Sequence, residues 1–70
     1  MADYKYQMII TWSDEDQAFL VDVPDLPGCK ADGKTVVDAV KNANIVIDEW
    51  IEYAKEDGIA IPKPTKKLYV

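Results

Sequence analysis

The stretch GKTVVDAVKNANIVIDEWIEYAKEDG, residues 33–58, decides the fold. Thr35-Val36-Val37-Asp38 places a hydroxyl where a helix starts and a carboxylate three residues on, a variant of the capping box that satisfies first-turn N–H groups. From there to Asp57, Val36, Val40, Ala43, Ile47, Trp50, Ile51 and Ala54 recur at spacings of three and four. They form one apolar stripe that must lie on another element. Asp38, Lys41, Asp48, Glu49, Glu52, Lys55 and Glu56 take the opposite side, and Gly58 suits the position just past a helix end. The sequence therefore predicts one long amphipathic helix, and the rest of the chain must supply the surface it covers.

Upstream, Tyr4, Tyr6, Met8, Ile10 and Trp12 alternate with Lys5, Gln7, Ile9 and Thr11, the period of a strand with one buried face. Residues 13–17 make a polar connection of hairpin length, and Ala18 to Val23 reads as a second strand antiparallel to the first. Pro24-Asp25-Leu26-Pro27-Gly28 stops that strand, because proline has no N–H for a ladder and glycine permits positive φ. Cys29 to Asp32 fits a short third strand before Gly33-Lys34 turns the chain. Downstream, the proline-stiffened link Ile61-Pro62-Lys63-Pro64 leads to Lys66-Lys67-Leu68-Tyr69-Val70, a short fourth strand expected at a sheet edge. The order β-β-β-α-β predicts an α+β two-layer sandwich, one helix on a mainly antiparallel sheet, with residues 1–70 as a single domain.

Composition narrows the function. The chain has 70 residues, a net charge of −5, one cysteine and no histidine, and all eight basic residues are lysines. Without histidine there is no imidazole base or ligand, and without arginine no bidentate phosphate clamp. The composition argues against an enzyme and calls for no metal or cofactor. A pI near 4.4 disfavours direct nucleic-acid binding and favours a basic protein partner. No run of residues is long enough to span a membrane, and no secretory signal pattern opens the chain, so a cytoplasmic location is expected.

The candidate sites divide into chemistry and contact. Cys29 is the one strong nucleophile but lacks a histidine partner, and reads as a small apolar residue. Asp14, Glu15 and Asp16 offer carboxylates to a cation, yet Phe19 stands where an EF-hand spacing needs glycine, so they read as a solvated hairpin tip. Asp48 and Glu52, one helical turn apart with Glu49 adjacent, suit either a hard cation or lysines of another protein, against the plainer reading of a solvating face. Ile45 falls opposite the apolar stripe among these charges, and Tyr53 and Val46 flank the stripe. Isolated exposed apolar residues are common, but Ile45, Asp48, Glu49, Glu52 and Tyr53 together form the candidate partner surface.

One set of motifs is more specific. Pro24, Asp25, Leu26, Pro27, Gly28 and Cys29, then Gly33 and Thr35, then Ala39 and Ala43 in the helix, and finally Pro62 and Pro64 resemble the HicB family of antitoxins across nearly the whole chain. Physically these are structural residues: the prolines and glycines shape the turn, Thr35 caps the helix, and the two alanines let it approach the sheet. The resemblance implies a β-β-β-α-β domain described as a partial RNase H-like fold, which commonly dimerises or forms higher oligomers. It also implies neutralisation of a small basic mRNA-cleaving toxin of the HicA type. An RNase H-type site needs a carboxylate in the middle of the first strand, and Tyr4 to Trp12 contains none. Typical members continue into a DNA-binding segment whereas this sequence stops at Val70, so operator binding by this chain is not expected. The alternative function is a stand-alone oligomeric module with no toxin partner; in either reading at least a dimer is expected, its interface at the fourth strand, the third strand or the helix flank near Tyr53.

Overall fold

The structure is a computed structural model and describes residues 6–64. Three strands, β1 (Ile9–Ser13), β2 (Ala18–Asp22) and β3 (Lys30–Gly33), precede one helix, α1 (Val36–Asp57). They form an antiparallel sheet in the order β1-β2-β3, so the α+β fold expected from the sequence is the one observed. The fourth strand, expected at Lys66–Val70, and Tyr4 of the first lie outside the described residues.

Local chemistry explains the joints. The β1–β2 hairpin closes over a four-residue tip in which Gln17 takes the left-handed φ of 51°. Its side-chain amide donates to the Asp14 carbonyl at 2.7 Å. The tip carboxylates bind their own hairpin, Asp14 accepting from Trp12 Nε1 at 2.7 Å and Asp16 from Ser13 Oγ at 3.2 Å. At the helix start Thr35 Oγ1 accepts from Asp38 N at 3.1 Å. Gly58, at φ 70°, ends the helix in the left-handed conformation. Thr35→Ala leaves the Asp38 N–H to water and is expected to cost about 1 kcal/mol, read as a lower urea midpoint with an unchanged m-value.

The core lies between the helix and one end of the sheet. Val21, Val23, Leu26, Cys29, Ala39, Ala43 and Ile47 form one fully buried cluster. Its closest point is Gly33, where a Cβ would come within 2.4 Å of the Ala39 nitrogen. Only a glycine facing an alanine turn lets helix and strand approach this far.

That approach corrects the expected burial of the first strand. The register pairs Ile10 with Val21 and Trp12 with Phe19, so the face expected to be apolar is the face turned toward the helix layer. Ile10 and Trp12 are nonetheless 39% and 44% exposed. The cause is placement: α1 packs on β3 and β2, and β1, farthest from β3, is left uncovered. Trp12 instead rests edge-on against Phe19, ring centroids 4.9 Å apart. Val36, expected in the buried stripe, is likewise exposed, because the helix reaches its close approach to the sheet at Ala39.

Candidate functional site

The residues singled out by the sequence occupy two separate places. The first is the loop between β2 and β3. Val23 N donates to the Cys29 carbonyl at 3.0 Å, Leu26 N to Val23 at 3.1 Å and Cys29 N to Leu26 at 2.9 Å. These bonds close residues 23–29 into a compact turn, and Gly28 completes it at φ 78°. Leu26 points inward as its plug, 0% exposed, while Pro24, Pro27 and Gly28 face solvent and Asp25 is half-buried. From the helix, Trp50 Nε1 donates to the Pro27 carbonyl at 3.0 Å. The loop is thereby tied to the same helix whose start is fixed by Gly33, Thr35, Ala39 and Ala43.

Pro62 and Pro64 follow the helix. The Pro62 carbonyl accepts from Tyr6 Oη, which brings the link beside the approach to β1. Burial and, secondarily, the nearby Asp25 charge push the Tyr6 hydroxyl pKa above its ordinary value. Pro64 is exposed.

Cys29, 1% exposed, is the buried end of the loop. Burial first and the Asp22 charge second push its thiol above the usual value of 9.0. A raised thiol pKa means that the native state holds its proton where the unfolded chain has lost it. The resulting stabilisation is complete below the unfolded pKa and disappears as pH rises through the folded one. Stability is expected to fall on that alkaline limb, and Cys29→Ala to flatten it, as checked by urea unfolding across the range. A protonated, buried thiol is a poor nucleophile.

The second place is the outer face of α1. Ile45, Asp48, Glu49 and Glu52 follow at spacings of three and four and so share one side of the helix, with Tyr53 one turn beyond Glu49. Ile45 is 52% and Tyr53 60% exposed. Glu49 and Glu52 are exposed, and Asp48 is half-buried. Ile45 and Tyr53 are thus exposed apolar residues about two turns apart on a helix that also presents Glu49 and Glu52 to solvent. A hollow of about 440 Å³ at the start of the helix mixes Asp16, Asp32 and Asp38 with Lys34 and Lys41. Among the described residues no cluster of carboxylates or cysteine is arranged to hold a metal ion. Nor is any described helix long and apolar enough to cross a membrane.

Sequence reading missed the exposure of Ile10 and Trp12 on β1, whereas Ile9, at 47%, lies on the face it left to solvent. The signal was present in Gly33, Ala39 and Ala43: small residues on β3 and on the first turns of the helix pull the helix over that edge of the sheet and away from β1.

Comparison with known proteins identifies the family. The chain is 44% identical over 59 residues to the UPF0150 protein Ta0767 of Thermoplasma acidophilum, covering 84% of each chain. It is 40% identical over 48 residues to an uncharacterized 14.9 kDa protein from the rep-hol intergenic region of Haemophilus phage HP1. That match takes in 69% of this chain and 36% of the phage protein. No solved structure gives a significant match. A family model described as the HicB-like antitoxin of bacterial toxin–antitoxin systems matches residues 6–68. That span runs through the closed loop, the capped helix and the link after it, and the chain belongs to this family of HicB-like antitoxins.

Proposed function

We propose that this protein is a non-catalytic antitoxin that binds and neutralises a small basic mRNA-cleaving toxin of the HicA type. The family match over residues 6–68 carries the reading, and membership in an antitoxin family itself suggests a non-catalytic role. The chain's chemistry agrees with it. A net charge of −5 attracts a basic partner. The outer face of α1, with Ile45 and Tyr53 among Asp48, Glu49 and Glu52, is the docking surface. Neither the buried Cys29 nor the hairpin-bound Asp14 and Asp16 supplies a reactive group. The protein acts in the cytoplasm, as a single domain, without cofactor and without contacting nucleic acid itself.

It assembles with further copies of itself, at least as a dimer, since a chain of 70 residues has a small core. Light scattering at micromolar concentration checks this, a monomeric mass being the contrary result. The toxin reading is tested by co-expression with a HicA-type toxin encoded beside the gene. Growth is expected to recover and the two chains to co-elute from gel filtration. Continued growth arrest with separate elution would remove the antitoxin reading and leave the stand-alone module.

A further inference from the structure

Two of the chain's three glycines follow an aspartate, as Asp32-Gly33 and Asp57-Gly58. In such a pair the aspartate can react with its own backbone, because the glycine nitrogen is not shielded by a side chain and can attack the carboxyl. Regular helix and strand backbone hold the two groups apart. The chain must therefore open locally before the ring can close, and the cost of that opening selects the site. Both aspartates are exposed, so access to water does not separate them. The fold does. Gly33 pairs with Phe19 of β2, and the Asp32 carbonyl accepts from Asn42 Nδ2 of the helix at 2.7 Å. A Cβ on Gly33 would meet the Ala39 nitrogen at 2.4 Å, so opening here parts helix and sheet beside the fully buried Ala39. Asp57-Gly58 ends α1 instead. The Gly58 N–H reaches the Ala54 and Lys55 carbonyls, the second at 3.4 Å, which is long for a hydrogen bond. Nothing lies within 4 Å of a Cβ built on Gly58, and residues 58–61 are exposed. Fraying the last turn costs little.

We propose that Asp57-Gly58 is a site of spontaneous isoaspartate formation and that the fold protects Asp32-Gly33 from the same reaction. The Gly58 nitrogen bonds to Asp57 Cγ, and the hydroxyl of the side-chain acid leaves with the amide proton as water. The product is a five-membered succinimide. Water then adds to one of its two carbonyls. Addition at Cγ breaks the new bond and restores aspartate, whereas addition at the main-chain carbonyl breaks the original peptide bond and leaves the chain running through Cβ and Cγ. The main chain is then one carbon longer just where Ile59 N donates to the Ala54 carbonyl at 2.8 Å, and the helix loses its C-terminal cap. No oxidant or further reactant is needed. The proposal is independent of the toxin reading, since it concerns the chain's own backbone.

Ageing the full chain in neutral buffer, with a parallel sample unfolded in urea, tests it. Peptide mapping with electron-transfer fragmentation counts isoaspartate at each position. In the folded chain at least about tenfold more is expected at residue 57 than at residue 32, and in urea about equal amounts. Asp57→Glu, whose longer side chain would have to close a larger ring, is expected to abolish the product at 57 while circular dichroism shows the helix retained. Equal accumulation at the two positions in the folded chain, or none at 57, would overturn the proposal. A tenfold preference for 57 that persists in urea would overturn it as well, by assigning the selectivity to neighbouring residues rather than to the fold.

Discussion

Gly33→Ala is expected to destabilise the protein by about 3 kcal/mol, as an overpacking substitution that backbone must absorb. The added Cβ would sit 2.4 Å from the Ala39 nitrogen and 2.7 Å from the Asp38 carbonyl carbon. Neither is the end of a flexible side chain, so helix and strand must separate, and the interior between them is packed too densely for that to be free. Gly28→Ala is the matched control. Its φ of 78° strains any L-residue but nothing lies within 4 Å of its Cβ, so the cost is expected nearer 1 kcal/mol. Denaturant unfolding of both variants checks the order. Equal losses would mean that the close helix–strand approach contributes nothing beyond the glycine conformation.

Leu26→Ala has an expected cost of similar size for the opposite reason. Leu26 is the largest of the fully buried side chains, at 0% exposure, and truncating such a residue costs about 2–5 kcal/mol through lost burial and the cavity left behind. The hydrogen bonds that close residues 23–29 limit how far the loop can collapse into that cavity, which places the expectation near 3 kcal/mol. A domain of this length has a total stability of roughly 4–10 kcal/mol. Leu26→Ala is therefore expected to lower the melting temperature by more than about 10 °C, as read by circular dichroism. A shift of only a few degrees would mean that the loop is not part of the core.

The helix was legible from end to end because its signals are local: Thr35 and Gly58 mark its ends and the apolar spacing marks its inner face. The hairpin was legible for the same reason. What the sequence could not convey is which strands the helix covers. The alternation in the first strand identifies the correct face, but exposure at Ile10 and Trp12 depends on a contact made two strands away, at Gly33. Leu26 shows the same limit. It lies in a run of turn residues, where nothing periodic marks it as interior, and only the closed loop turns it inward. For the candidate partner surface, helical spacing sufficed to put Ile45 and the carboxylates on one side. The half-burial of Asp48 depends on packing that spacing does not describe.

The outer face of α1 makes the toxin claim specific to named residues. Cleavage of messenger RNA by a purified HicA-type toxin, followed as the full chain is added, measures it most directly. The wild-type chain is expected to abolish cleavage at about one copy per toxin. Ile45→Asp with Glu49→Lys and Glu52→Lys, all exposed changes that leave the core intact, is expected to need at least about a hundredfold more protein, the loss of roughly 2.7 kcal/mol of binding. Undiminished cleavage with the wild-type chain in excess, or full inhibition by the triple variant, would contradict the account.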